Sequence, residues 1–287
     1  MSKEIIEFYT EDGIALNGYI NKVKGETDKV LIETHGMSSN CLKNREKIIA
    51  ENLERINIDT ICFNNRGNGI VNFIKNKNGR KELGGTAFEN VEESYFDILG
   101  AIKYAISLGY KNIYLQGHSL GATKVLYTYT KMKEEENINL KYIKGIILLS
   151  FVDVSAVINN FITEKMIIYA KNKEKENKEL ELMPYNSFLC PISVKNYLKY
   201  VKMKDAIDPI KLLNAVDVPI FMRWGNIMEL IEKSAEEHSQ IMNQKIKNKF
   251  KDISFIDGAN HSYEGKEQIL AEEISKFINK IVKSEEN

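Results

Sequence analysis

The stretch NIYLQGHSLGATKVLYTYTKM, residues 112–132, passes from an apolar run to an amphipathic one across Gly117-His118-Ser119-Leu120-Gly121. Strand-type residues from Asn112 to Leu115 come before the pentad, and a helical pattern from Ser119 to Met132 follows it. A serine on so tight a strand-to-helix turn is forced into an unfavourable backbone conformation, and its neighbours two places away must be tiny. Gly117 and Gly121 meet that demand. The hydroxyl of Ser119 would then stand above a sheet, with a helix N-terminus directing partial positive charge at any anion that develops there. A glycine-rich turn with Ser119 as a plain N-cap is the competing reading. The strand before and the helix after favour the nucleophile.

Outward from this stretch, strand and helix alternate. EIIEFYT and IALNGYINKV, separated by EDG, read as an antiparallel hairpin. KVLIETHG, DTICFNNRG, NIYLQGH, GIILLSF, VPIFMRWG and DISFIDG are short apolar runs of the buried-strand type. Between them lie amphipathic stretches; in one, Phe88, Val91, Tyr95, Ile98 and Ile102 recur every three or four residues, so one helix face is apolar. The pattern implies an α/β fold: a mainly parallel doubly wound sheet with helices on both faces and an N-terminal antiparallel hairpin. From about Asp153 to Asp208 the rhythm breaks into a long, irregular, helix-prone segment, and a crossover of that length is uncommon without a function. The expected organisation is a core of residues 1–152 and 209–287 interrupted by a helical cap at 153–208.

Hydrophobic residues make up 43% and charged residues 28% of the 287, the balance of a soluble globular chain. Forty basic and forty acidic residues cancel, so no overall basic footprint points to nucleic acid or to an anionic membrane. The N-terminus lacks the apolar run of a signal peptide, and no segment reaches transmembrane length. Cys41, Cys62 and Cys190 are widely spaced, without metal-site or disulfide arithmetic, which suits free thiols in a reducing cytosol. These features lead us to expect a cytoplasmic protein with a small-molecule partner and an unspecified oligomeric state.

A serine alcohol needs a base. Of four histidines, His238 lies in the charged helix EKSAEEHSQ and reads as a solvated surface residue. His118 adjoins Ser119 but should point away from it. His35 belongs to the turn ETHGM. His261, in the loop FIDGANHSYEG between the last strand and the last helix, has the chain order of a catalytic base. In ETHGM, Gly36 lets the backbone turn so that the amide of Met37 can aim at an oxyanion, with the amide of Leu120 as second donor. Gly36 and His118 are the expected substrate-contacting positions.

These residues give the chain a resemblance to the α/β-hydrolases over nearly its whole length. It is carried by His35-Gly36, by NNRGNG from Asn64, by GHSLGA from Gly117 and by GANHSY from Gly258. FNNRG after a parallel strand and FE before a long helix are similar to the bacterial serine esterase-like members. The resemblance implies a Ser-His-acid triad, an acyl-enzyme intermediate, and no metal or organic cofactor. It leaves ester, thioester and amide open, because the superfamily shares machinery and not substrate. The family's acid commonly follows the strand matching PIFMRWG as G-x-x-D, but here that position holds Met228. Glu229, one residue later, is the expected acid, and Asp153, at the end of the preceding strand, is the alternative. Asp257 is too near His261 to serve. The missing aspartate also motivates the reading of a non-catalytic ligand-binding homologue. Of two further stretches, the polar loop carrying Lys75, Lys77, Arg80 and Lys81 reads as a solvated loop, with recognition of an acidic group as the alternative, and the apolar MPYNSFLCP reads equally as cap packing or as an acyl pocket.

Overall fold

The computed structural model describes residues 1–227 and 233–285. Strands β1 (Ser2–Tyr9) and β2 (Ala15–Lys22) pair antiparallel across a turn at Glu11-Asp12-Gly13. Then follow β3 (Lys29–Thr34), β4 (Asp59–Phe63), the short β5 (Asn72–Lys75) and β6 (Lys81–Gly84), β7 (Asn112–His118), β8 (Ile143–Leu149), β9 (Ile220–Ile227) and β10 (Lys251–Asn260). The main sheet runs β1-β2-β4-β3-β7-β8-β9-β10 and is parallel from β4 to β10, with the opening hairpin antiparallel at one edge.

The parallel strands are apolar throughout because both faces of the sheet are covered. Along β3, Val30 and Ile32 enter one layer with Ile98, Ile102, Val125 and Trp224, while Leu31 enters the other with Ile49, Leu53, Leu270 and Ile274. This alternation with a period of two sets α2 (Ser94–Ser107) and α3 (Leu120–Glu134) on one face and α1 (Asn44–Glu54) and α9 (Glu267–Glu285) on the other.

From β3 the chain goes first to β4 on one side and later returns to β7 on the other. At such a reversal the connections leave in opposite directions and open a crevice beyond the carboxyl ends of the strands. The turns after β3 and β7, which hold Gly36-Met37 and Ser119, border that crevice.

Between β8 and β9 stand α4 (Val154–Phe161), α5 (Glu164–Lys175), α6 (Val194–Met203) and α7 (Pro209–Ala215). Asp153, Thr163, Ser193 and Asp208 each start one of these helices by accepting a side-chain hydrogen bond from a first-turn amide. Ile158, Met183, Phe188, Tyr197 and Tyr200 form an apolar cluster that continues onto Leu120 and Val91 of the core. Helix α8 (Ala235–Lys245) precedes β10. No described helix is long and apolar enough to cross a membrane.

Three local expectations change. The helix expected to present Phe88 and Val91 begins only at Ser94, because Asn90 caps a 3-10 turn at Val91–Glu93 instead. The stretch read as a polar loop is the β5–β6 hairpin, whose tip is set by Asn76 Oδ1 accepting the amides of Asn78 and Arg80. His238 is half-buried, not a solvated surface residue: its ring meets Trp224 edge-on at 4.7 Å.

Candidate active site

Ser119 has φ 55° and ψ −124°, a conformation that a non-glycine residue adopts only when its surroundings impose it. Its amide donates to Leu149 O at 2.8 Å, which ties the turn to β8. A Cβ on Gly117 would lie 2.3 Å from Gly121 O, and one on Gly121 would lie 2.3 Å from Thr34 O. Both glycines are therefore required by backbone contact. Ser119 occupies the position before α3, yet its side chain makes no capping bond. Its hydroxyl is not spent on the helix.

The β3 turn fits directly against this elbow. A Cβ on Gly36 would meet His118 O at 2.8 Å and the Ser119 Cβ at 3.0 Å. Among the described residues, the amides of Met37 and Leu120 have no protein acceptor. Behind the turn lies a buried polar chain. Lys124, 0% exposed, donates to Glu89 Oε2 at 2.6 Å and to Asn65 Oδ1 at 3.2 Å. Asn65 Nδ2 donates to His35 O at 3.1 Å, and the Asn65 amide donates to His35 Nε2, also at 3.1 Å. His35 Nδ1 then donates to Gly36 O at 2.9 Å. Burial, and after it the Lys124 charge, lowers the His35 pKa to about 3, so the ring stays neutral. His35 holds the turn and does not exchange protons near neutral pH. Burial raises the Glu89 carboxyl pKa, and Lys124 partly offsets the rise.

β10 reaches the same crevice through a bulge between Ile256 and Asn260. Gly225 permits the crossing, since a Cβ there would sit 2.2 Å from Ala259 O. His261 follows the bulge, and its carbonyl accepts from His118 Nε2 at 2.7 Å and from Ser150 Oγ at 3.0 Å. The rings of His118 and His261 lie 5.0 Å apart. Burial is the main reason why the His118 pKa falls well below the usual histidine range, with the charge of Arg45 next. Two residues beyond His261, buried Tyr263 donates its hydroxyl to Arg223 O at 2.7 Å and accepts the Ser150 amide at 2.9 Å. His261 is thus carried on a loop anchored to β8 and β9.

Of the expected acids, Glu229 lies outside the described residues. β9 ends at Ile227, which pairs in register with Asn260, the residue before His261. Asp153 Oδ1 accepts from Ser155 Oγ at 2.7 Å and from the Ala156 amide at 2.9 Å, as the cap of α4. Asp257 accepts from Asn226 Nδ2 at 2.8 Å on the exposed bulge.

Gly36, Met37, His118, Ser119 and His261 line one cavity of about 290 Å3. The sequence did not single out other residues of its wall: Lys43, Asn44 and Arg45 at the start of α1, with Glu264 and Glu267 at the start of α9. A larger cavity of about 470 Å3, against Pro219, Phe250 and Phe277, contains none of the described candidate residues. The cationic residues of the β5–β6 hairpin are absent from the Ser119 cavity. In MPYNSFLCP, Met183 and Phe188 are buried in the insertion's own cluster, whereas Tyr185 is 95% exposed.

The chain has the α/β-hydrolase fold. Est1E from Butyrivibrio proteoclasticus, solved with ferulic acid bound, superposes with a TM-score of 0.66 at 19% identity, over 96% of this chain and 98% of that one. DcsB in complex with its substrate analogue gives a TM-score of 0.72 at 16% identity, over 98% and 99%. The α/β hydrolase GrgF from Penicillium sp. sh18 gives 0.71 at 15% identity, over 98% and 99%. No family model and no curated protein matches the chain.

Proposed function

We propose that this chain is a serine hydrolase that cleaves a carboxylic ester or related acyl bond of a small molecule. The observation that carries the reading is the strained Ser119, its hydroxyl unspent, lining one cavity with His261 and the Met37 turn. His261 takes the proton from Ser119 Oγ as that oxygen attacks the carbonyl carbon. The amides of Met37 and Leu120 hold the tetrahedral oxyanion, each donor being worth about 10²–10³ in rate. The proton passes from His261 to the leaving group, and water then releases the acid from the acyl-enzyme by the same route. Glu229 is the carboxylate that orients the imidazole. Supporting it over Asp153 are the end of β9 beside Asn260 and the engagement of Asp153 as a helix cap. Residues 153–208 act as a cap over the Ser119 side of the sheet, as their cluster with Leu120 suggests.

A fluorophosphonate probe tests the assignment. Wild type is expected to label and Ser119→Ala to remain unlabelled, while His261→Ala lowers kcat on p-nitrophenyl acetate by about 10²–10⁴. Equal labelling of wild type and Ser119→Ala would overturn it.

A further inference from the structure

Resting on the hydrolase reading above, we infer that the preferred substrate is a short-acyl ester of a polyol or sugar, and not a long-chain or aromatic ester. The cavity that reaches Ser119 opens between the starts of α1 and α9, and none of its described lining residues comes from 153–208. Apart from Gly36, Met37 is the one apolar residue among those described in its wall. The side of the elbow that could have sheltered an acyl chain is filled from within: Leu120 is packed into the cluster with Val91, Met183 and Phe188, and Met37 lies against it. A hydrocarbon chain entering from the α1–α9 side would be placed against ions, gaining little burial and stripping them of water.

What the wall does offer is hydrogen bonding of both kinds. Lys43, Asn44 and Arg45 bring donors from α1, and Glu264 and Glu267 bring acceptors from the turn into α9. The two sides meet where Asn44 Nδ2 donates to Glu267 Oε1 at 3.1 Å. Arg45 is paired with Glu46, which leaves Lys43 against Glu264 and Glu267, so charges of both signs stand in the wall and an anionic ligand is disfavoured. Arg45 is 5% exposed, and its Nε has no protein partner. Neutral hydroxyl groups, which donate and accept at once, match such a wall better than an anion, a cation or an alkyl chain. At about 290 Å3 the space lies at the lower end for ligand sites, which limits the ester to a small acyl group on a small polyol.

The test is a comparison of kcat/KM on glycerol monoacetate and an acetylated methyl glucoside with that on p-nitrophenyl octanoate and methyl ferulate. The acetylated polyols are expected to be favoured by at least about tenfold, and Asn44→Ala and Glu264→Gln are expected to raise their KM several-fold. A smaller preference, or unchanged KM in both variants, overturns the inference while fluorophosphonate labelling of Ser119 leaves the hydrolase reading standing. Absence of labelling together with no turnover of any ester would overturn both.

Discussion

At Gly121 there is no room for one more carbon. A methyl group would press on the carbonyl oxygens of Thr34 and His35, which belong to the end of β3 and cannot rotate away. Gly121→Ala should therefore destabilise the fold by roughly 1–3 kcal/mol and abolish probe labelling, because relief requires moving α3 away from the β3 turn. Gly25→Ala is the control: its nearest neighbour would be the side-chain oxygen of Asn57 at 3.3 Å, and a thermal melt should scarcely shift. Residues of this kind are readable in the sequence because the motif is contiguous, and Gly117, Ser119 and Gly121 announce their own geometry. Arg45 and Glu267 do not. Each opens an amphipathic helix in which a charged residue reads as solvated, and only the meeting of α1 with α9 turns them toward Ser119.

At the scale of elements, α3 is bound to the loop before α2 by a fully buried ion pair, Lys124 with Glu89. Removing one member strands the other away from water, which costs about 3–5 kcal/mol, whereas replacing both by apolar or neutral groups is often near neutral. Lys124→Met should thus lower the urea midpoint strongly, and Lys124→Met/Glu89→Gln should recover most of the loss. Both variants should lose kcat on p-nitrophenyl acetate, because Asn65, and through it His35 and Gly36, loses the ammonium that orients it. Nothing local in the sequence foretells this pair, since its members are 35 residues apart and a lysine within a helix reads as solvated. The shortening of α2 has a similar origin: periodicity saw the apolar face, but the Asn90 cap decided where the helix starts. The β5–β6 hairpin was hidden because its strands are four residues each, too short for an alternating pattern to stand out.

For the molecule as a whole, buried ionisable groups give stability two opposing slopes with pH. His35 and His118 stay neutral when folded but take up protons near 6.5 when unfolded, so stability falls as pH drops below that value. Each contributes a slope on the order of 1.4 kcal/mol per pH unit until its folded pKa is reached. Glu33 behaves oppositely. Fully buried beside Glu46, it keeps its proton well above 4.5, where the unfolded chain has lost it, so stability falls as pH rises from 4.5 through the folded value. Glu89 adds to that second slope. The two slopes oppose each other between about pH 4.5 and 6.5, and a broad maximum is expected there. Urea midpoints at pH 4, 5.5 and 8 test this, with Glu33→Gln flattening the alkaline limb. The layered sheet itself was legible in the alternation of apolar and amphipathic segments, since parallel strands covered on both faces leave little else to pattern. The acid proposed to orient His261 was not, because the aspartate common among α/β-hydrolases is absent after β9, where Met228 and Glu229 stand.

The loop bearing His261 is secured three times, by the His118 ring, by the Ser150 hydroxyl and by Tyr263 beneath it. Such a loop acquires its order once, during folding, and an arriving molecule encounters a finished surface that it does not have to assemble. Thickening the solvent with glycerol or sucrose would then slow encounter and departure, and leave bond-breaking at its own pace.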